Sequence, residues 1–155
     1  MTDSNTTANV REVVPFFGVN SIEDSVRYYV DGLGFTMKNN WMPHGKLRWC
    51  WLTLGSASLM LQEFWKEGHH AGRPDGKLGQ GVSLNFTCED AVAFYKEVMS
   101  RGIEASEPQV GNNLWVTGLT DPDGYRLFFA SATDVPEETM LSEVEHTNSA
   151  PLANH

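Results

Sequence analysis

Residues 22–35 read Ile-Glu-Asp-Ser-Val-Arg-Tyr-Tyr-Val-Asp-Gly-Leu-Gly-Phe, and residues 88–103 read Cys-Glu-Asp-Ala-Val-Ala-Phe-Tyr-Lys-Glu-Val-Met-Ser-Arg-Gly-Ile. The two stretches match at one offset of 66 residues (89 − 23), which pairs Glu23 with Glu89, Asp24 with Asp90, Val26 with Val92, Tyr28 with Phe94 and Tyr29 with Tyr95. A unit that occurs twice in this way is typical of two copies of one supersecondary module. We therefore expect the functional site in the cleft between the copies.

Each copy has the pattern strand–helix–strand–strand–strand. Asn20 or Ser21 can cap the first helix, and Gly32 and Gly34 end it. Apolar alternation predicts the strands, which are 12–19, 35–41, 47–54 and 58–65 in the first copy and 80–87, 103–109, 114–120 and 125–131 in the second. The second helix is predicted over 89–100, with a buried stripe formed by Val92, Tyr95, Val98 and Met99.

These elements predict an α+β protein in which residues 12–131 form one domain. Module one spans 12–65, the Gly-rich linker spans 66–79, and module two spans 80–131. Residues 1–11 are predicted to be a disordered N-terminus. Residues 132–155 form an acidic tail whose one apolar cluster is Met140, Leu141 and Val144, and we expect either a short helix on a partner surface or disorder.

Composition excludes several classes of function. The net charge of −9 argues against nucleic acid as a partner and favours cationic small molecules, although an acidic surface also serves solubility alone. No apolar run is long enough to span a membrane, and the start of the chain lacks a secretory signal, so we expect a cytoplasmic protein without membrane contact. Cys50 and Cys88 have no metal-binding spacing and should remain thiols.

The doubled βαβββ pattern resembles the vicinal oxygen chelate superfamily, which includes glyoxalase I, extradiol dioxygenases and bleomycin-resistance proteins. The resemblance spans residues 12–131 and is carried by Val19, Ile22, Ser25 to Tyr29, Leu33-Gly34-Phe35, Glu89 to Tyr95 and Asp121-Pro122-Asp123-Gly124-Tyr125. It implies a U-shaped, mixed-sheet half-barrel built from the two tandem modules around a pocket. It also implies a homodimer, with the pairing of modules within or across chains left open.

In the metal-dependent members, the first and last strand of each module supply His, Gln or Glu as metal ligands. The matching positions here are Val14, Met60, Gly81 and Phe128, and a shift of one place brings in only Gln80. Hydrocarbon and thioether side chains are poor ligands for hard or borderline divalent cations. We therefore expect no metal and no other cofactor.

Other polar residues allow a weaker case for catalysis. His69-His70, His44 and His146 fall in predicted loops or in the tail, where solvent exposure is the ordinary expectation. Glu63 or Glu107 is the candidate carboxylate base. Cys50 would need an electropositive neighbour to be reactive, and the strand pattern places Arg48 on its face.

Aromatic residues are abundant, with five tryptophans and eight phenylalanines. Strand alternation predicts that Trp49 and Trp51 share one face, where they either form core or stack on a flat ligand. By resemblance, bleomycin-resistance proteins hold a planar, positively charged antibiotic in clefts at a dimer interface. The predicted ligand-binding residues are Trp41, Trp49, Trp51, Met60, Asn113, Trp115 and Phe128. The chain departs from those proteins at Asn113, where they carry a Trp before the seventh strand.

We therefore weigh three functions. The first is a metal-free module that sequesters a planar, cationic aromatic compound and has no catalytic residue. The second is a lyase, isomerase or dioxygenase-like enzyme with a displaced metal site or a carboxylate base. The third is a structural or regulatory partner protein that uses the acidic tail.

Overall fold

The computed structural model describes residues 8–65 and 72–145. The first module contains β1 (Phe16–Val19), α1 (Ile22–Val26) continued by a π-helical segment (Arg27–Gly32), β2 (Thr36–Trp41), a 3₁₀ turn (Pro43–Gly45), β3 (Trp49–Leu54) and β4 (Ala57–Glu63). The second module contains β5 (Ser83–Thr87), α2 (Ala91–Ser100), β6 (Gln109–Gly111), β7 (Leu114–Thr120) and β8 (Arg126–Ala132).

Each module forms a four-stranded mixed sheet, in the orders β1-β4-β3-β2 and β5-β8-β7-β6. The first strand runs parallel to the last strand of its own module, and the remaining pairs are antiparallel. The α+β class and the two tandem βαβββ modules predicted from the repeat are confirmed.

The helix caps follow the sequence. Ser21 accepts a hydrogen bond from the Asp24 N–H, and Asp90 accepts one from the Ala93 N–H, so the repeated Glu-Asp pair lies in the first turn of the first helix and immediately before the second helix. The first helix differs from the prediction because it changes to π-helical hydrogen bonding after Val26. Gly34 then ends it at a φ of 93°, a conformation that favours glycine.

The strand predicted over 103–109 is wrong for most of its length, since β6 begins only at Gln109. Ser106 explains the difference. Its N–H donates to Gly118, but its side-chain oxygen accepts the Gly118 N–H and its carbonyl accepts the Thr117 hydroxyl. Side-chain hydrogen bonds therefore replace part of the ladder beside β7. The prediction that Met99 belongs to the buried stripe of α2 is also wrong, because Met99 is 43% exposed.

One hydrophobic core serves both modules. It combines Tyr29 and Phe35 of the first module with Val98, Leu127 and Phe129 of the second, and all five are buried. Along β3 and β8, buried residues such as Cys50, Leu127 and Phe129 alternate with less buried ones, so each sheet has a core face toward the helices and an opposite face. We call the opposite faces the first and second open faces.

The described part of the tail docks on the second module. Residues 141–145 are helical, and the buried Leu141 packs with Ala91, Val110 and Trp115. The N–H groups of Asn112 and Asn113, at the tip of the β6–β7 hairpin, donate to the Glu137 carboxylate at 2.8 and 2.9 Å. Among the described residues, no helix is long and apolar enough to cross a membrane.

Candidate functional site

The first open face brings together Trp49, Trp51 and Met60. In the sheet register Trp51 lies beside Met60, and Trp49 lies beside Gln62 on the same face. Cys50 and Leu52 alternate with the tryptophans and are fully buried on the core face, whereas both tryptophans are partly exposed. The predicted sharing of one face by Trp49 and Trp51 is confirmed. The face presents two indoles and a thioether to a prospective ligand.

Trp41 lies at the end of β2, paired in register with Trp49. Its ring is 47% exposed and packs against Trp65, with 5.9 Å between the ring centroids. The Arg48 guanidinium covers Trp65 at 4.9 Å from the ring centroid. Trp41 therefore extends the indole surface of the first open face toward the end of the sheet.

A cation already occupies the first open face. The Lys38 ammonium lies 5.2 Å from the centroid of the Trp51 ring, within the range of a cation–π contact. A β-bulge between Met37 and Asn39 interrupts the strand register at Lys38. An incoming cation would therefore compete with Lys38 for the Trp51 ring.

The second open face carries Phe128. This side chain borders a cavity of about 420 Å³, and the Arg126 guanidinium lies 5.5 Å from its ring centroid. The other residues around the cavity are Ser106, Glu107, Gln109, Val110, Gly111, Val116, Gly118 and Met140. All belong to the second module or the docked tail, so this cavity does not join Phe128 to Trp49, Trp51 or Met60.

Two predicted ligand-binding residues lie elsewhere. Trp115 is 9% exposed and packs in the core cluster with Leu141, because its position in β7 alternates with the open-face residue Val116. Asn113 is exposed at the hairpin tip with a φ of 63°, and its N–H is bound by Glu137. Trp115 therefore lies on the core face, opposite to the face that carries Phe128, and Asn113 lies at the exposed tip of the hairpin.

The positions expected to hold metal ligands need a correction. Because β1 starts at Phe16, the residue beside Met60 is Phe16 rather than Val14. Because β5 starts at Ser83, the residue beside Phe128 is Asn85 rather than Gly81, which lies in the preceding turn at a φ of 77°.

The corrected set of residues does not fit a divalent metal. Phenylalanine and thioether groups fill three of the four positions, and the Asn85 amide donates to Ser83. Within residues 8–65 and 72–145, no group of three or more His, Cys, Asp and Glu side chains is close enough to hold an ion. The side chains at these four strand positions therefore do not form a donor set suited to a divalent metal.

Glu63 has a structural environment. Its carboxylate accepts from the Ile22 N–H at 3.1 Å and the Arg48 guanidinium at 3.0 Å, with Lys46 at 3.5 Å. It thereby joins the start of α1 to the end of the first sheet. These contacts commit the carboxylate to holding structural elements together, which disfavours Glu63 as a general base.

Glu107 also binds a helix start. It accepts the Ser142 N–H, and this hydrogen bond lowers the pKa of the Glu107 carboxyl. Its bond orients the tail helix, while the remainder of its side chain borders the cavity beside Phe128. A lowered pKa makes Glu107 a weaker base than an ordinary glutamate.

The thiols and histidines complete the candidates. Burial raises the pKa of the Cys50 thiol to about 11, and burial also raises the pKa of Cys88. Neither thiol is therefore activated as a nucleophile. His44 is exposed in the 3₁₀ turn, whereas His69, His70 and His146 lie outside the described residues.

Sequence reasoning missed several open-face residues. Gln62 lies beside Trp49, Phe16 lies beside Met60 and is 54% exposed, and Met140 of the tail lines the cavity beside Phe128. Period-two alternation from Met60 would have found Gln62. No local sequence pattern predicts that Met140 lines a cavity, because the tail reaches the cavity through tertiary contacts.

The comparisons with known proteins agree with this architecture. A family model described as "Glyoxalase/Bleomycin resistance protein/Dioxygenase superfamily" matches residues 12–129. The structure is similar to TioX from Micromonospora sp. ML1, with a TM-score of 0.64, 15% sequence identity, and 79% of this chain and 99% of TioX covered. A search of curated proteins found no match.

Two further solved structures are described as binding proteins. TnmS3, an antibiotic-binding protein from Streptomyces sp. CB03234, aligns with a TM-score of 0.58 at 17% identity, covering 81% of this chain and 100% of TnmS3. A bleomycin-binding protein complexed with bleomycin aligns with a TM-score of 0.60 at 18% identity, covering 79% of this chain and 98% of that protein. At these identities the likeness concerns the fold.

Proposed function

This chain belongs to the glyoxalase/bleomycin resistance protein/dioxygenase superfamily, and on that premise we propose that it is a metal-free binding protein that sequesters a planar, cationic aromatic compound. The superfamily includes both enzymes and binding proteins, so the site must decide between them. The observation that carries the proposal is the grouping of Trp49, Trp51 and Met60 on one open face. Indole and thioether groups grip flat apolar rings by stacking and dispersion, without coordination.

Two observations disfavour catalysis, and a third favours binding. Glu63 and Glu107, the candidate bases, each accept the N–H of a helix start. Cys50 is buried with a raised pKa. By contrast, the Trp51 indole N–H is buried without a hydrogen-bond partner, and a polar group of a ligand would satisfy it after local rearrangement.

Charge supports a cationic ligand at long range. The chain carries a net charge of −9, which attracts cations to its surface. At short range Lys38 must leave the Trp51 ring before a cation can take its place. We propose that this exchange is part of ligand binding.

The complete pocket is proposed to form in a homodimer. The aromatic residues of the first open face and the cavity beside Phe128 belong to different modules, and that cavity has no lining residue from the first module. β1 and β5 are edge strands, and Val13 and Phe16 at the β1 edge are 89% and 54% exposed. A second copy could cover this apolar edge and place the first open face of one copy opposite the second open face of the other.

Isothermal titration calorimetry with bleomycin and with ethidium tests the proposal. Metal analysis of the purified protein and mass spectrometry of the recovered compound complete the test. We expect saturable binding, unaltered compound and no stoichiometric metal. W51L should weaken binding by about tenfold or more, equivalent to about 1.4 kcal/mol. M60A should weaken it more than the matched control M99A, since Met99 lies on the α2 helix. Chemical conversion of the compound or a stoichiometric transition metal would overturn the proposal.

A further inference from the structure

A second cavity, of about 590 Å³, lies between the linker and the closing turn of the second module. Its lining consists of Arg73, Gly76, Lys77, Leu78, Gly79, Gln80, Gly81, Asp123, Gly124 and Arg126. Three of these ten residues are cationic, in a chain that has 11 Lys and Arg against 20 Asp and Glu. The local charge is therefore opposite in sign to that of the whole chain.

The loop that forms one wall is firmly seated. Leu78 is 7% exposed, and Gly79 adopts a φ of 77°. A Cβ at Gly79 would come within 3.0 Å of the Tyr125 Cα and 3.1 Å of the Gly124 carbonyl oxygen. Only a glycine allows this approach, so the loop backbone is held against the turn before any ligand arrives.

Arg73 is oriented by neutral groups. Its Nε donates to the Asn20 side-chain oxygen at 3.0 Å, and one terminal nitrogen donates to the Pro74 and Gly76 carbonyls at 3.3 Å. These acceptors fix the guanidinium without cancelling its charge. A preorganised guanidinium matches phosphate oxygens in geometry and charge.

Lys77 and Arg126 add to this charge. Within residues 8–65 and 72–145, the ion pairs of the structure use Arg27, Lys46, Arg48, Lys96 and Arg101, and none uses a cation of this cavity. The one acidic lining residue is Asp123, whose carboxylate accepts from the Asn20 N–H, the Asn20 amide and the Ser25 hydroxyl. Asp75 belongs to the same loop but does not line the cavity.

We propose that this cavity is an anion-binding site for the phosphate group of a small molecule. Three cations outweigh one carboxylate, which suits a phosphate dianion better than a monocarboxylate. The volume exceeds that of a phosphate group, so an attached organic moiety also fits. This site shares Arg126 with the second open face, where its guanidinium lies 5.5 Å from the Phe128 ring centroid, but it does not depend on the proposed sequestration of an aromatic cation.

NMR titration of the ¹⁵N-labelled full chain at constant ionic strength tests the proposal. The probes are inorganic phosphate, pyrophosphate and glycerol 3-phosphate, with acetate as the monocarboxylate. We expect saturable shifts of the Gly76, Gly79 and Gly81 amides with the phosphates and weaker effects with acetate. Tighter binding of glycerol 3-phosphate than of inorganic phosphate would assign an ester rather than the free ion.

A charge-matched pair of variants separates a site from general attraction. K77Q/R126Q should weaken phosphate binding at least about tenfold, and R11Q/K96Q, which removes the same charge elsewhere, should leave it within about twofold. Both altered cavity residues are exposed, so the fold should survive, and the dispersion of the NMR spectrum reports this directly. Non-saturable shifts, or equal weakening in both double variants, would overturn the proposal.

Discussion

The hydroxyl of Tyr29 donates a hydrogen bond of 2.7 Å to the buried carboxylate of Asp121 and so joins the first helix of one module to the closing turn of the other. Asp121 also accepts the N–H groups of Asp123 and Tyr125. The Tyr125 ring in turn stacks on Phe17 at 3.9 Å, and its hydroxyl donates to the Gly18 carbonyl. The turn therefore connects the modules through both polar and aromatic contacts.

Replacing Tyr29 with Phe should lower the free energy of unfolding by about 1–3 kcal/mol, because it removes a hydrogen bond to a buried carboxylate. Urea denaturation followed by tryptophan fluorescence measures the change. Y95F is the matched control. Tyr95 packs against the cluster that contains Trp115 and Leu141, and this variant keeps the hydrogen bond from Tyr29 to Asp121. Equal stability of Y29F and Y95F would contradict a stabilising contact between the modules at Tyr29 and Asp121.

The D121N variant should change how stability depends on pH. Burial raises the pKa of Asp121 above its ordinary value despite the hydrogen bonds that lower it. A raised native pKa contributes stability that is complete below the unfolded pKa of about 3.9 and is lost as the pH rises through the native pKa.

Denaturation of wild type and D121N at a series of pH values tests this. The stability of wild type relative to D121N should therefore fall as the pH rises from about 4 through the native pKa. The Asn side chain can still accept both backbone N–H bonds, so the variant should fold. A wild-type advantage that grows with pH would show a lowered pKa instead.

K38Q should raise the affinity for a planar cation severalfold, because it frees the Trp51 ring and removes a like charge. Calorimetric titration with ethidium measures the effect. R11Q removes the same net charge from an exposed position near the N-terminus and serves as the control. If both variants gain affinity equally, general electrostatics rather than the Trp51 face would govern binding.

The C88S variant should resist labelling by Ellman's reagent at pH 8 until it is unfolded. Its remaining thiol, Cys50, is fully buried and has its pKa raised to about 11, so little thiolate is present or accessible. Complete labelling in urea confirms that the thiol is intact. Fast labelling of folded C88S would contradict the placement of Cys50 in the core.

Much of the fold was predictable because its signals are local. The Glu-Asp repeat marks both helix starts, and alternation around Cys50 separates core from open face. The errors arise where tertiary contacts decide. Ser106 substitutes side-chain bonds for part of a strand ladder.

The site was less predictable than the fold. Composition predicted an indole-rich surface. The number of tryptophans, however, does not indicate which rings lie on the same sheet face or to which module that face belongs. The cation beside Trp51 depends on a bulge at Lys38, and the basic cavity depends on how Arg73 and Arg126, far apart in sequence, meet. Pairwise geometry of this kind has no periodic signature.

The tight seat of Gly79 against Tyr125 has a consequence for how the chain can vary in length. Extra residues inserted between Gly72 and Gly76, which are exposed, would bulge into solvent and leave both halves in place. An insertion after Leu78 would instead displace the start of the second module. The linker should therefore tolerate insertions in its upstream portion and not in its downstream portion.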